Sequence, residues 1–138
     1  MIQIQIDGFP LKKKALLGAI RKIASRLPVE GAVTIKIAAD DEVRELNKKY
    51  RGQDRVTDVL SFPCAEKLPG GFYSGDILIC WSVAEKQARA NNHSLQRELL
   101  LLMIHGLLHL HGLDHEKDQG HMLAEQQRLF AAFAGEME

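Results

Sequence analysis

The chain opens on MIQIQI, in which apolar and polar residues alternate as in a half-buried β-strand. Three further short apolar stretches, AVTIKIA, TDVLSF and DILIC, predict strands of similar length. Between and after them, apolar residues recur every three or four positions and predict helices with one buried face. The predicted strands cover 1–6, 32–38, 57–62 and 76–80, and the predicted helices cover about 11–27, 41–50, 82–92, 95–112 and 118–134.

Local signals mark several ends of these elements. Ser82 with Glu85 three positions later predicts a capping box at the start of one helix, and Ser94 predicts the cap of the next. Pro63 predicts the end of the third strand, and the Pro-Gly-Gly in 64–75 predicts a long loop or wide hairpin. The order of elements predicts a mixed α/β (α+β) fold, with a small mixed four-stranded sheet covered by about five helices.

Composition narrows the class of protein. A length of 138 residues predicts one domain over 1–138, and equal numbers of acidic and basic residues give a net charge of zero. A neutral chain does not hold nucleic acid through a large positive field, so any RNA contact depends on a local patch. Two cysteines, no secretory signal and no apolar stretch of membrane-spanning length predict a cytoplasmic protein that does not bind membranes.

Candidate chemistry is concentrated in HGLLHLHGLDH at 105–115. His105 and His109 are four residues apart, so both rings project from one face of a helix, one turn apart. Gly112 predicts the end of that helix and lets the chain return His115 towards the first two rings. This HxxxHxxGxxH spacing is that of the metzincin zinc signature and predicts three nitrogen ligands with an open fourth position.

One residue departs from the zinc-protease pattern. HExxH proteases place a glutamate directly after the first histidine as general base, and Gly106 stands there in this chain. A glycine inside a helix predicts the close approach of a substrate or of a facing strand. His111 lies on another face of the helix and is interpreted as a surface or supporting residue.

Three segments carry a resemblance to a known family. HGLLHLHGLDH resembles the HGxLHLxGxDH signature of the YbeY family of bacterial endoribonucleases, YRGQDRVTDVLSFP (50–63) is similar to a second stretch, and GDILIC (75–80) to a third. The resemblance implies a metal-dependent, single-strand-specific RNA hydrolase in the cytoplasm. It implies action in 3′-end maturation of 16S ribosomal RNA and in ribosome quality control, with single-stranded RNA, ribosomal RNA and the small ribosomal subunit as partners and no role for DNA.

The resemblance also assigns roles to residues. It implies one ion, zinc or another divalent metal, on His105, His109 and His115, and a catalytic role for Arg51. A zinc-bound water would attack the phosphodiester, and Arg51, expected on a loop, would share the negative charge that develops. Asp114 and Asp76 are weaker candidates that either support the site or have structural roles only.

Two other functions remain open from the sequence. A metalloprotease or another zinc hydrolase has the same ligand spacing, although Gly106 removes the usual general base. A ribosome-assembly binding protein with a structural metal is the second alternative. That alternative requires a fourth ligand, for which His121 is the candidate.

Overall fold

A computed structural model describes residues 2–6, 8–27, 31–68, 71–110 and 121–137. The strands are β1 (Ile2–Ile6), β2 (Ala32–Ala38), β3 (Val59–Leu68) and β4 (Gly71–Cys80). The helices are α1 (Lys13–Ser25), α2 (Asp40–Arg51), α3 (Trp81–Ala90), α4 (Leu95–Leu110) and α5 (His121–Phe133), and a 3₁₀ turn follows at Ala134–Glu136. The predicted four-stranded mixed sheet with five helices is confirmed.

The strands lie in the order β1-β2-β4-β3. β1 and β4 each pair with β2 in parallel, whereas β3 pairs with β4 antiparallel and forms an edge of the sheet. Apolar side chains of β2 and β4 on one face pack against α4, which also contacts α1, α3 and α5. The helix is buried nearly all round because it has neighbours on several sides, which explains its unbroken run of leucines.

The opposite face of the sheet is covered only in part. Val43 of α2 packs there on Leu60 and Leu78 in a second, smaller cluster. The neighbouring part of this face carries polar residues of β1 and β2, and it borders a groove described below.

The structure corrects the prediction that Pro63 ends a strand. β3 continues through Pro63 to Leu68, and β4 begins already at Gly71, so most of the predicted loop 64–75 is strand. Proline is tolerated because β3 is an edge strand and its pairing with β4 shifts register just beyond Pro63. Gly75, opposite Pro63, has φ +146°, and a Cβ there would lie 2.3 Å from the Phe62 carbonyl oxygen.

One of the two predicted helix caps is wrong. α3 begins at Trp81 without a side-chain cap, and the Ser82 hydroxyl instead donates to the Asp40 carboxylate of α2. Ser94 caps α4 as predicted, since its hydroxyl accepts the Arg97 backbone N–H at 3.2 Å. Among the described helices, none is long and apolar enough to cross a membrane.

Candidate active site

His105 and His109 lie on one half-buried face of α4, as their spacing predicts. Their ring centres are 4.7 Å apart, and the two Nε2 atoms approach to 3.1 Å. Two histidines on the same tetrahedral zinc ion, with Zn–N bonds near 2.0–2.1 Å, have nitrogens about 3.3 Å apart. The two Nε2 atoms therefore lie close to that separation, at a distance that also suits a hydrogen bond between the rings.

The remaining part of the predicted motif lies outside the described residues. This applies to the third predicted ligand His115, to Asp114, to Gly112 and to His111. Within the described ranges, no group of three His, Cys, Asp or Glu side chains could hold a metal ion. His121, the candidate fourth ligand of a structural site, is exposed at the start of α5 and forms no such group with described residues.

Gln126 of α5 contacts His105 at Nδ1, the ring nitrogen on the side away from His109. Its Oε1 lies 2.8 Å from His105 Nδ1 and accepts the Nδ1–H of the ring. That proton on Nδ1 leaves the lone pair on Nε2, the atom that faces His109. Sequence reasoning missed Gln126, because an ordinary glutamine in an amphipathic helix carries no signal that it faces an imidazole on another helix.

Gly106 lies where α4 meets the sheet. A Cβ on this residue would lie 2.7 Å from Cγ2 and 2.8 Å from Cδ1 of Ile77 in β4. Of the two reasons that the sequence offered for this glycine, the approach of a facing strand is confirmed. A glutamate at this position would point into the packed contact between helix and sheet, so the general base of the HExxH proteases has no place here.

Arg51 is the last residue of α2, not part of a loop as predicted, and Gly52 in the left-handed conformation ends the helix. The Arg51 Nη2 donates to the carbonyl oxygen of Ser61 on β3 at 2.7 Å, and its Cζ is 6.0 Å from the Phe62 ring centre. The hydroxyl of Ser61 donates to the Gly106 carbonyl at 3.4 Å. One residue of the edge strand thus contacts both Arg51 and the helix of the two histidines.

A polar cavity of about 340 Å³ lies beside His105. Its hydrogen-bonding side chains come from α3, α4, α5 and the turn before β3, and they are Asp58, Gln87, Asn91, Glu98, His105 and Gln126. Glu98 is only 1% exposed. Its Oε1 is 2.7 Å from His93 Nε2 and 3.2 Å from Asn91 Nδ2.

This buried carboxylate was not predicted, because Glu98 resembles any first-turn acid in the sequence. Asp58 lies in the second segment that resembles the family, and the sequence assigned it no indispensable role. The structure places Asp58 directly before β3, where its carboxylate accepts the Val59 backbone N–H at 2.8 Å and lies 3.3 Å from Gln87 Nε2. Asp58 also lines the cavity.

Asp76 lies on the other face of the sheet. It is the neighbour of Ile77, whose side chain faces α4, and successive side chains of a strand alternate between the two faces. Asp76 lines a groove of about 690 Å³ together with Tyr50 and Phe62. The sheet therefore lies between Asp76 and the helix that carries His105 and His109.

Comparison with known proteins places this geometry in a family. The family model described as Endoribonuclease YbeY matches residues 4–134. The chain belongs to the YbeY family of endoribonucleases. Curated YbeY proteins from Helicobacter pylori and Staphylococcus saprophyticus are each 41% identical to it, over 94% of this chain and 91% and 89% of their own lengths.

A solved YbeY-like structure supports the same assignment. The solution structure of a Thermotoga maritima protein superposes with a TM-score of 0.68 at 35% identity, and the match covers 99% of this chain and 91% of that protein. The resemblance drawn from three sequence segments is confirmed over nearly the whole chain, and the family to which the chain belongs consists of hydrolases that cleave RNA.

Proposed function

We propose that this protein is a zinc-dependent endoribonuclease that cuts single-stranded RNA in the cytoplasm. We further propose that it acts in maturation of the 3′ end of 16S ribosomal RNA and in ribosome quality control, in contact with the small ribosomal subunit. The observation that carries the proposal is the approach of the His105 and His109 Nε2 atoms to 3.1 Å, in a chain of an endoribonuclease family. The ribosomal role rests on the family resemblance alone.

The donor set fits the metal. His105 and His109, with His115 as the predicted third ligand, would hold the ion through neutral imidazoles, which suit zinc. When bound, zinc supplies an activated water at neutral pH. Gln126 keeps the Nδ1 proton of His105 in place and so presents the Nε2 lone pair.

Arg51 is the candidate for binding the scissile phosphate. A guanidinium has five N–H donors in a rigid fork, and the Ser61 carbonyl takes a donor of Nη2 only. The remaining donors suit the non-bridging oxygens of a phosphodiester, where negative charge accumulates as the bond breaks. The Ser61 carbonyl fixes the guanidinium on β3 through Nη2, and the hydroxyl of the same residue contacts α4 at Gly106.

Proteolysis, the first alternative, is disfavoured by the packing of Gly106. A structural metal in a ribosome-assembly protein, the second, is disfavoured by the exposed position of His121 among the described residues. Neither alternative has an observation of its own that favours it over RNA cleavage.

The test is metal analysis of the purified protein and of His109→Ala, combined with cleavage assays on defined single-stranded RNA, the matching duplex and casein. The proposal expects about one zinc per chain, cleavage of the single strand only, and loss of both zinc and cleavage in His109→Ala. Full RNA cleavage by the metal-free variant, or cleavage of casein alone, would overturn it.

A further inference from the structure

We infer that the groove beside Tyr50, on the face of the sheet opposite α4, binds one unpaired nucleotide of the RNA, with its base stacked on the Tyr50 ring. The inference rests on the proposed function, because it names how the same substrate is held away from the histidines. Tyr50 then acts in substrate binding, and the phosphate next to the stacked base is the scissile phosphate that Arg51 is proposed to bind.

Tyr50 is an exposed aromatic ring in a fixed position. Among the described residues, the large hydrophobic side chains classed as exposed are Tyr50, at 58%, and Leu123, at 45%. The Tyr50 ring packs on Phe62 with centres 5.4 Å apart and an interplanar angle of 64°, and the Lys49 ammonium lies 5.2 Å from its centre. Bases of single strands stack on aromatic rings of this kind, which are fixed by a neighbouring side chain and lie close to cations, here Lys49 and Arg51.

The phosphate-binding candidate Arg51 is anchored on the same strand, β3, and shares Phe62 with Tyr50. Arg51 donates to the Ser61 carbonyl and lies over Phe62, while Tyr50 packs on Phe62 from the preceding position of α2. An aromatic ring and a guanidinium are therefore fixed side by side. This pair suits a nucleotide, because the faces of its base are planar and aromatic and its phosphate is an anion.

The groove has the volume and the polar groups that a nucleotide requires. Its volume of about 690 Å³ lies within the range of small-ligand sites. Gln5, Thr34 and Lys36 of β1 and β2 supply polar groups for a base edge or a 2′-hydroxyl. Glu42 in the lining pairs with Lys36 at 2.6 Å, so its charge is balanced within the groove.

This site discriminates against double-stranded RNA. The faces of paired bases are covered by their neighbours in a helix, so only an unpaired base can stack on Tyr50. Ser61 connects the groove with α4, the helix of His105 and His109. Its carbonyl accepts an N–H of Arg51, and its hydroxyl donates to the Gly106 carbonyl. An RNA strand that crosses the free edge of β3 would reach both the groove and the histidines.

The test measures binding of a fluorescent single-stranded RNA oligomer to the metal-loaded protein by anisotropy, in the cold, with RNA integrity checked on a denaturing gel. We expect Tyr50→Ala to weaken binding by roughly 5- to 150-fold, the effect of losing one stacked base. Tyr50→Phe keeps the ring and should keep the affinity. Leu123→Ala, which removes the other exposed apolar side chain, should bind like the wild type.

Two further measurements separate stacking from charge and from misfolding. Tyr50→Ala should leave the salt dependence of binding unchanged, whereas Arg51→Ala should lower the slope by about 0.7, as expected for one lost contact to a single strand. An oligomer with abasic positions should bind the wild type and Tyr50→Ala equally, and so should a duplex.

Unchanged single-strand affinity in a folded Tyr50→Ala protein would overturn the inference, and so would an equal loss on the abasic oligomer. If such a variant nevertheless fails to associate with the small ribosomal subunit, the groove contacts the subunit by means other than stacking of an unpaired base. These outcomes leave the proposed nuclease standing, because they do not touch the metal content or the metal-dependent cleavage by the wild type.

Discussion

Substitution of Gly106 by alanine tests the packing that fixes α4, the helix of His105 and His109. The added methyl group would lie 2.7 and 2.8 Å from two carbon atoms of Ile77, where ordinary contact begins at 3.4 Å. Both partners belong to regular elements in the core, so α4 must move or Ile77 must leave its rotamer. Overpacking of this kind costs about 1–3 kcal/mol of unfolding free energy, while alanine gains about 1 kcal/mol over glycine in a helix.

A matched control isolates the packing cost. Gly18 lies in α1, where a Cβ would meet nothing within 4 Å, so Gly18→Ala keeps only the helix-propensity gain. We expect Gly18→Ala to stabilise the protein by up to about 1 kcal/mol and Gly106→Ala to be about 1–3 kcal/mol less stable than this control. Urea unfolding measured side by side for the two variants gives the difference directly.

The same substitution should impair the site. A shift of α4 displaces His105 and His109 relative to Arg51, and misplacement of catalytic groups by about 1 Å can cost about a hundredfold in rate. In an Ile77→Ala background, the methyl group of Gly106→Ala has room, and its destabilising effect should disappear. If Gly106→Ala alone is as stabilising as Gly18→Ala, the argument from close packing is wrong.

Three further predictions concern Gln126, Glu98 and Asp40. Gln126→Leu should weaken zinc binding about 10- to 100-fold in competition with a chromophoric chelator, and unchanged affinity would contradict its role in holding His105. Glu98→Ala should lower the unfolding free energy by about 2–4 kcal/mol, because it strips the partner from His93; a loss below about 0.5 kcal/mol would argue against a buried pair. The Ser82 hydroxyl, and then the Cys80 thiol, hold the pKa of Asp40 below its ordinary 3.8, so this stabilisation is present above that pH and is lost as the pH falls towards the lowered pKa. Ser82→Ala should therefore lose less stability than the wild type between about pH 5 and pH 2 in acid unfolding, and an identical acid profile would refute the linkage.

The sequence predicted the features that depend on local periodicity. The spacing of His105 and His109 fixes their common face whenever the segment is helical, and the apolar stretches fix the number of strands. The residue at which a strand ends could not be predicted in this way, because it depends on the neighbouring strand in the sheet. Pro63 remains in β3 only because that strand lies at the edge of the sheet, and no local signal states which strand is the edge.

Contacts between distant elements were the part that could not be predicted. Ser82 has the spacing of a capping residue, yet Asp40 approaches it from another helix, and its hydroxyl donates to that carboxylate instead of accepting a backbone N–H of α3. The roles of Gln126 and Glu98 could not be predicted for the same reason, because each depends on a partner in another element or on burial. The reason for Gly106 was predicted only as two alternatives, and the position of Ile77 decided between them.

The edge strand explains how a neutral chain can bring the guanidinium of Arg51 close to the helix of His105 and His109. Among the described residues, no strand pairs with the outer side of β3. The carbonyl of Ser61 on that side accepts an N–H of Arg51, while the hydroxyl of the same residue reaches α4. An inner strand has its carbonyls paired on both sides and offers no such acceptor. Arg51→Lys keeps the charge but loses the fork that can hold Ser61 and a phosphate together, so it should lose most of the cleavage rate while keeping most of the salt dependence of RNA binding. Equal cleavage by Arg51→Lys and the wild type would mean that charge alone suffices and that the anchoring on β3 has no part in catalysis.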